Sequence, residues 1–506
     1  RYWVHLVGPG WNVIGGGEPV LPGVSIGHNE YGAWGLTVFG QDSEDLYVYE
    51  TNPDNPSEYR YHDRWERMRV IEEQILVKGE PPVTVQLKYT RHGPVQYEDI
   101  ENRKAYALRA AWLDIGSAPY LASLRMDQAR SWEEFREACS YSRIPAENMV
   151  WADREKNIGY QAVGVSPIRP NWSGLVPVPG DGRYEWDGYL PIKALPHVTN
   201  PPEEYFGTAN NYMVPDGYPY LNALHYTWGD EMRATRLNEV LRSGSRHTLI
   251  DMMRLQQDEF SVPAKNLIPF LRGLTLDDPA ANDARRSLLR WDAVLDRDSV
   301  DAAIYVTWER RLMQNLRELL VPESIRDFLG GLNMKKVINW LAAPDGRFGP
   351  DPIEGRDRLL VLSMEEALEE LRTRLGPDQT QWHYGQPDFK HALIRHPLSP
   401  AVDDATRARL DVGPVARGGY GRSLNNTGNG DNQTSGASFR MIADTEDWDH
   451  AVGTNAPGQS GDPDDPHYRD LFELWAAGKY FPVFYSRAKV ESVAERTERL
   501  MPTEPR

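Results

Sequence analysis

The sequence has almost no cysteine: one thiol, Cys139, occurs in 506 residues. A single thiol cannot form an internal disulfide and cannot build a cysteine-ligated metal site. The residues on either side of it form no reactive-thiol motif. We therefore expect Cys139 to be a small buried apolar residue. The cysteine count alone leaves the cellular compartment open.

Long apolar runs are also absent. No stretch of about 18 apolar residues occurs, which argues against a transmembrane helix. The sequence has neither an initiator methionine nor a signal peptide. The side chains of residues 1–6 alternate in the pattern of a strand, and this pattern is present from the first residue. The expectation is that Arg1 is not a translational start, and that something upstream was cut away or belongs to another chain.

Basic residues are outnumbered by acidic ones. Lys and Arg total 56 against 74 Asp and Glu, which gives a net charge of −18. Because phosphate binding needs a basic footprint, this balance argues against a nucleic-acid partner. Hydrophobic residues make up 40% of the chain and include 16 Trp and 25 Tyr, which excludes global disorder. Single cores stop growing near about 250–300 residues, so two lobes or one large interwoven body are expected.

The order of patterns along the chain is strands, helices, strands. Residues 1–110 read as strands and turns. Within them, Val83–Tyr89 shows the period-two alternation of side chains that is typical of a strand. A helical stretch is predicted over 118–142, with Ser131 as an N-cap. Between 231 and 375, apolar spacing of three and four predicts amphipathic helices. These are Arg233–Leu241, Leu249–Gln257, Pro263–Leu271, Ala302–Leu320 and Met364–Leu375.

Strands and glycine-rich turns return over 410–485, and Gly428–Gly436 looks the most flexible part. We therefore predict a sheet region over 1–230, a mainly helical region over 231–375, and a second part of the sheet system over 376–506. The helical region is then an insertion between two strand regions that join one sheet system.

Two amide groups could together hold an oxyanion. Thr208–Asn211 contains Asn210, whose carboxamide N–H could donate to an anion that exists only transiently. The segment Ala33–Gly40 contains Val38, whose backbone N–H could supply a second donor. Each segment also has an ordinary interpretation, since Asn-Asn favours a turn and Ala33–Gly40 is typical of a buried strand.

Carboxylates cluster just after this strand. Asp42, Glu44 and Asp45 lie within four residues of sequence. Several hard oxygen ligands so close together suit Ca²⁺ better than a softer metal, although the spacing is not that of an EF-hand. A solvated acidic turn is the alternative interpretation. Arg233, near the start of an amphipathic helix, could support an active site or be a surface residue.

No residue of the chain stands out as a nucleophile. There are 12 His and many Ser, and a catalytic triad cannot be read from residues scattered along a sequence. Neither a His-x-x-x-His nor a Cys-x-x-Cys zinc motif occurs. The groups that could hold an oxyanion are thus present without an obvious partner that attacks the carbonyl.

The chain resembles the β-subunit of the penicillin acylase family of N-terminal-nucleophile hydrolases over nearly its whole length. Each motif that carries the resemblance is short, and their order and spacing together make it specific. They are Pro22–Asn29, Ala33–Gly35, Arg91–Pro94, Asn157–Tyr160, Pro177–Gly180, Thr208–Asn211 and Pro457–Gly461. The resemblance implies an α+β fold, the αββα four-layer sandwich of these hydrolases with a helical insertion.

The resemblance also implies a mechanism. In that family, precursor cleavage exposes an N-terminal serine whose hydroxyl attacks the amide, with its own α-amine as general base, to form an acyl-enzyme. Asn210 and the Val38 backbone amide match the family's oxyanion hole, and Arg233 matches its active-site arginine. Ile26 stands where phenylacetyl-specific relatives carry a Phe in the acyl pocket, which is compatible with a different or broader acyl group.

A structural Ca²⁺, one per heterodimer, is implied as well. Asp42, Glu44 through its carbonyl, and Asp45 match family ligands. Asn222 falls where another ligand, often Asp, is found, so this position departs from the pattern. The implied partner is an α-subunit from the same precursor, and the implied location is periplasmic or secreted.

The larger departure concerns the nucleophile. Family β-subunits begin with Ser, and further residues follow that serine before a segment like Arg1–Leu6. That stretch, serine included, does not occur in this sequence. Arg1 cannot replace that serine, because a guanidinium is not a nucleophile at neutral pH. We expect the N-terminal β segment either to be a separate chain or to be lacking, in which case this polypeptide alone is inert.

The predicted function is hydrolysis of a linear amide that joins a hydrophobic acyl group to an amine, such as the side chain of a penicillin. An acyl-homoserine-lactone acylase of the same family is one alternative. The Gly27–Asn29 pattern favours the β-lactam acylase branch. A non-catalytic scaffold or binding remnant is the other alternative.

Overall fold

The computed structural model describes residues 2–244 and 246–501. They form two compact units. The amino-terminal unit comprises Leu6–Val13 and Val20–Trp228, and the carboxy-terminal unit comprises Arg1–His5, Ile14–Pro19 and Gly229–Arg506. The division into 1–230, 231–375 and 376–506 stays a prediction.

The amino-terminal unit is built mainly from strands, of which the first two contain residues of both units. The strands are β1 Tyr2–Gly8, β2 Trp11–Gly17, β3 Ile26–His28, β4 Gly32–Val38, β5 Glu44–Asn52, β6 Asn55–Tyr61, β7 Arg64–Arg67, β8 Arg69–Ile75, β9 Val83–Tyr89, β10 Val95–Asp99, β11 Lys104–Ala110, β12 Glu147–Asp153, β13 Ile158–Val163, β14 Ser166–Pro167, β15 Val178–Pro179, β16 Tyr189–Leu190 and β17 His197–Thr199. The helices are α1 Ser123–Met126 and α2 Trp132–Cys139.

One sheet of this unit has the strand order β1-β2-β3-β4-β12-β13-β17. Trp34 of β4 lies opposite Trp151 of β12, and their rings stack with centroids 6.1 Å apart. Phe135 of α2 packs on Trp151 at 4.9 Å, so the helix covers this face. The predicted N-cap is confirmed, because the Ser131 hydroxyl accepts from the Glu134 N–H, and Cys139 is buried as expected.

A second sheet has the order β10-β11-β5-β6-β7, with β15 parallel to β5. Along β5, alternate residues are buried, namely Asp45, Tyr47, Tyr49 and Thr51. Since successive side chains of a strand point to opposite faces, Asp45 shares the buried face with two tyrosines. The strand period therefore places a carboxylate inside the protein.

The carboxy-terminal unit is mainly helical. Its helices are α3 Met232–Ser243, α4 Leu249–Gln256, α5 Val262–Leu267, α6 Pro279–Leu288, α7 Val300–Leu320, α8 Glu323–Arg326, α9 Met334–Ala342, α10 Pro352–Leu375, α11 Asp404–Leu410, α12 Phe472–Ala476 and α13 Arg487–Val493. Its further strands are β18 His391–Ile394, β19 Val412–Ala416, β20 Arg440–Ile442, β21 Val452–Thr454 and β22 Phe481–Pro482. Among the described residues, no helix has both the length and the apolar character to cross a membrane.

The long helices α7 and α10 pack against each other within the core of this unit, to which α5, α6 and α9 also contribute. Apolar residues recur on the facing sides of α7 and α10, and the Trp308 indole N–H donates to the Leu360 carbonyl at 3.3 Å. The predicted segment Met364–Leu375 is the second half of α10, and the predicted Pro263–Leu271 ends in a 3₁₀ turn. Within 231–375, helices α6, α8 and α9 lie outside the predicted set.

Candidate active site

The side chain of Asn210 lies against the end of β4. Its Nδ2 donates to the Val38 carbonyl at 2.9 Å, across 172 residues of sequence. Asn210 has φ 59°, in the left-handed region that Asn tolerates better than most residues. The neighbouring Asn211 stabilises the turn, because its Oδ1 accepts from the Ala209 N–H at 3.1 Å. The predicted turn is thus present, and it presents the Asn210 carboxamide to Val38.

The orientation of the Val38 amide follows from the strand pairing. The Phe39 N–H donates to the Ala146 carbonyl at 3.0 Å, so the Val38 carbonyl, on the same trans peptide, points away from β12. In an extended strand the N–H of a residue lies on the same side as its carbonyl. Strand β3 pairs with β4 at Ala33 and Trp34, several residues before Val38. The Val38 N–H and the Asn210 carboxamide therefore lie on the same edge of β4.

A buried amide supports this arrangement. Asn148 is 1% exposed, and its Nδ2 donates to the Val38 carbonyl and to Thr37 Oγ1, each at 3.1 Å. The Tyr160 hydroxyl donates to Asn148 Oδ1 at 2.8 Å, which fixes the orientation of the amide. The Thr37 and Thr208 hydroxyls are also 2.8 Å apart and join the Asn210 segment to β4. Asn148 was not among the residues predicted from the sequence, although a polar amide inside a largely apolar strand was an available signal.

The Gly27–Asn29 motif has a structural role here. Asn29 Oδ1 accepts from the Tyr31 N–H at 2.8 Å, and its Nδ2 donates to the Ala129 carbonyl at 2.7 Å. The side chain thus shapes the β3–β4 turn and joins it to the segment before α2. Ile26 is half-buried at the start of β3, and its role in an acyl pocket stays a prediction.

A buried carboxyl group lies below the same segment. Asp127 is 1% exposed, and its Oδ2 accepts from the Val24 N–H at 3.1 Å. Burial raises the pKa of Asp127 to about 8, and the hydrogen bond from Val24 opposes that rise. Near neutral pH this side chain is therefore largely protonated.

Arg233 lies in the first turn of α3, in the carboxy-terminal unit. The residue is half-buried, and burial lowers the pKa of its guanidinium while the nearby Asp230 opposes that effect. Asp230 also accepts from Arg422 Nε at 3.1 Å, so the start of α3 is rich in paired charges. The active-site role of Arg233 stays a prediction.

Three of the four predicted calcium ligands surround a guanidinium. Arg169 Nε donates to Asp45 Oδ2 at 2.7 Å. Arg169 Nη2 lies 3.4 Å from Asp42 Oδ1 and donates to the Glu44 carbonyl at 3.2 Å. The Arg169 side chain is 0% exposed and that of Asp45 is 1% exposed. Burial raises the pKa of Asp42, and the guanidinium opposes that rise.

The other features of this cluster do not complete a calcium site. Asn222 is exposed in a short 3₁₀ turn, and that turn approaches Asp42 through a hydrogen bond from the Asp42 N–H to the Leu224 carbonyl at 2.9 Å. Over residues 2–244 and 246–501, no group of three or more His, Cys, Asp and Glu side chains is arranged to hold a metal ion. The arrangement around Asp45 does not fit the predicted calcium site, because a guanidinium already binds the same oxygen atoms. Calcium binding therefore stays a prediction for metal analysis to test.

Comparison with known proteins identifies the class. The sequence profile of the penicillin amidase family matches residues 1–492, and the chain belongs to that family. The chain is similar to the solved structure of a thermostable penicillin G acylase from Alcaligenes faecalis, with a TM-score of 0.77 and 24% sequence identity. The match covers 100% of this chain and 94% of the acylase chain. That likeness confirms the predicted α+β fold of N-terminal-nucleophile hydrolases.

Relatives within the family are named as acyl-homoserine lactone acylases or as penicillin acylases. The acyl-homoserine lactone acylase QuiP of Pseudomonas aeruginosa is 28% identical over 94% of this chain and 62% of its own length. Penicillin G acylase of Escherichia coli is 27% identical over 75% of this chain and 49% of its own length. The chain thus spans less than two thirds of the length of these relatives.

Proposed function

We propose that the protein containing this chain hydrolyses a linear amide between a hydrophobic acyl group and an amine. The observation that carries the proposal is the placement of the Asn210 carboxamide and the Val38 N–H on one edge of β4. Membership of the penicillin amidase family supports it. In this proposal the nucleophile is an N-terminal serine from another part of the protein, and an α-subunit is the partner.

The two amides would act on the tetrahedral intermediate. As the serine oxygen attacks, negative charge develops on the former carbonyl oxygen, and neutral N–H donors already in position stabilise that charge. Asn148 and Thr37 would act as positioning residues, since they hold the Val38 peptide and the segment of Asn210. Arg233 would support the environment of the nucleophile. We also propose the periplasmic or secreted location that the family resemblance implies.

The substrate has two candidate classes. The Gly27–Asn29 pattern supports a β-lactam acylase, whereas the QuiP relative, at 28% identity, is named an acyl-homoserine lactone acylase. Ile26 would replace an aromatic residue in the acyl pocket and would leave room for an aliphatic chain. Hydrolysis rates of phenylacetylated penicillin, an aliphatic penicillin and a long-chain acyl-homoserine lactone, measured side by side, separate these classes.

The main experiment is Asn210→Ala in the complete protein. Loss of one oxyanion donor lowers kcat by about 10²–10³-fold in comparable sites, so we expect a loss of that size with a smaller change in KM. The measurement is the steady-state rate of amide hydrolysis with the best of the three substrates.

Asn171→Ala is the matched control. The Asn171 side chain is exposed and also donates to a backbone carbonyl, that of Arg183, at 3.0 Å. We expect kcat to stay within about two-fold of the wild type, because a surface substitution has little effect. Equal kcat for Asn210→Ala and the wild type would reject the oxyanion role. Absence of activity in the wild type, on all three substrates, would favour the scaffold alternative.

A further inference from the structure

The hydrogen bonds of Asp45 leave little capacity for a metal ion. Asp45 Oδ2 accepts from Arg169 Nε at 2.7 Å and from the Trp186 indole N–H at 2.6 Å, and Oδ1 accepts from the Trp172 indole N–H at 3.2 Å. A carboxylate oxygen offers about two acceptor positions, so both positions of Oδ2 are in use. Only one position of Oδ1 remains, so a calcium ion at about 2.3–2.6 Å could not bind both carboxylate oxygens without displacing a donor. Displacement would remove a hydrogen bond from a carboxylate that is almost completely buried.

The chain also makes room for the guanidinium. Gly174 has φ +80°, and a Cβ atom at that position would lie 2.8 Å from Arg169 Cζ and Nε. Arg169 itself follows β14 and is held on its amino-terminal side, where Ile168 exchanges two backbone hydrogen bonds with Asp187 and Gly188 at 2.9 and 3.0 Å. Gly174 therefore leaves space for the guanidinium. The backbone hydrogen bonds of Ile168 fix the position of the chain from which the Arg169 side chain extends.

The charges favour the same conclusion. Asp42 and Asp45 supply two negative charges, and Arg169 supplies one positive charge at 3.4 and 2.7 Å from them. A divalent ion on the same oxygens would lie next to a guanidinium that cannot lose its proton near neutral pH. The repulsion between the two cations would be strong, because these groups are buried and poorly screened.

We propose that Arg169 is the resident cation of this site, and that Asp42, Glu44 and Asp45 therefore require no calcium ion. The guanidinium joins the start of β5 to the segment after β14 through the same oxygen atoms that a metal would bridge. This inference does not depend on the proposed function, since its readouts are metal content and thermal stability.

The first test measures calcium in the complete wild-type protein. After dialysis against a chelator and back into buffer, we expect an unchanged Tm, and addition of CaCl₂ should not raise it. Elemental analysis of the purified proteins should find the same calcium content in the wild type and in Asp42→Asn. The proposal is overturned if the wild type carries one calcium ion that Asp42→Asn releases, or if chelation lowers the Tm and CaCl₂ restores it.

The second test removes the guanidinium. Arg169→Met keeps the length of the side chain but leaves buried carboxylates without their cation, so we expect the Tm to fall by about 5–15 °C. Arg183→Met is the control, because Arg183 pairs with Asp181 at 2.7 Å but its side chain is 66% exposed. We expect no measurable shift there. Equal Tm values for the two variants would overturn the proposal.

A third variant addresses poor folding. If Arg169→Met yields no folded protein, Arg169→Lys keeps the positive charge and loses the planar pair of donors. We expect this variant to fold with a Tm below that of the wild type and to remain insensitive to CaCl₂. A Tm of Arg169→Lys that rises with CaCl₂ to the wild-type value would overturn the proposal, because calcium would then be sufficient at this site.

Discussion

Two buried cationic side chains of this chain have different kinds of partner. Arg169, in the amino-terminal unit, faces the carboxylates of Asp45 and Asp42. Lys390, in the carboxy-terminal unit, is 1% exposed, and its Nζ donates to three backbone carbonyls, those of Thr427, Gly428 and Gly430, at 2.8, 2.9 and 2.6 Å. Both cations have hydrogen-bond acceptors, but only Arg169 directly contacts carboxylates.

The difference shows that satisfying hydrogen bonds and compensating charge are separate requirements. Burial lowers the pKa of Lys390 to about 7, with Arg310 adding to that effect and Asp431 opposing it. Carbonyl dipoles stabilise an ammonium ion less than a full negative charge does. The segment that looks flexible in the sequence, Gly428–Gly436, thus supplies carbonyls to a buried lysine.

The largest effect is expected at the Arg169 site. Asp45→Ala would leave the guanidinium buried with only the more distant Asp42 as a charged partner, and breaking a buried pair in this way costs about 3–5 kcal/mol. The free energy of unfolding of the complete protein, measured by denaturant titration, checks this expectation. Asp181→Ala is the control, since its pair with the exposed Arg183 is screened by solvent. Similar losses in both variants would mean that burial does not strengthen the Arg169 pair.

A buried carboxyl group sharpens the comparison, because backbone rather than a cation faces Asp127. Its pKa in the folded protein is about 8, against about 3.9 in an unfolded chain. The folded state therefore keeps a proton that the unfolded chain releases. The stabilising contribution is fully present below about pH 4 and is lost as the pH rises through about 8.

Asp127→Asn should remove this dependence while it keeps an oxygen for the Val24 N–H. We expect near-wild-type stability at pH 5 and a gain over the wild type of about 2–4 kcal/mol at pH 9. Unfolding curves at several pH values measure the difference. Asp99→Asn is the control, because that exposed carboxyl has its pKa lowered by hydrogen bonds from Asn102. If the free energies of unfolding of Asp127→Asn and the wild type differed by the same amount at every pH, Asp127 would be ionised throughout the measured pH range.

Local structure was more accessible from the sequence than were long-range polar contacts. The Ser131 cap and the apolar faces of α7 and α10 follow from short-range patterns. The start of α6 also carried a readable signal, since Asp278 caps it and Pro279 occupies the first turn. Sequence analysis missed that helix because it relied on apolar spacing rather than on capping.

Contacts between distant polar residues need information that periodicity does not contain. Val38 and Asn210 were paired through the family resemblance, and the structure brings them within hydrogen-bond distance. Arg169 lies 124 residues from Asp45, so an acidic cluster was interpreted without its cation. A pattern of residues indicates which face of an element is buried, but tertiary packing decides which charge meets a buried carboxylate.

The smallest net effect at neutral pH is expected for Lys390→Met, because two consequences oppose each other. The variant leaves three buried carbonyls without a donor, but it also removes the cost of burying a charge. We therefore expect a change of about 0–2 kcal/mol at pH 7.

The pH dependence of the stability change in Lys390→Met is more informative than the size of that change at pH 7. An unfolded lysine has a pKa of about 10.4, so between about pH 7 and 10 the unfolded chain binds more protons than the folded protein does. The wild type should gain stability over the variant as the pH rises through that window, and lose it as the pH falls through about 7. Lys265→Met, at an exposed lysine paired with Glu239 at 3.2 Å, should give a curve parallel to the wild type. If Lys390→Met were also parallel, three carbonyls would compensate a buried charge as well as a pair of carboxylates does, and the contrast with Arg169 would disappear.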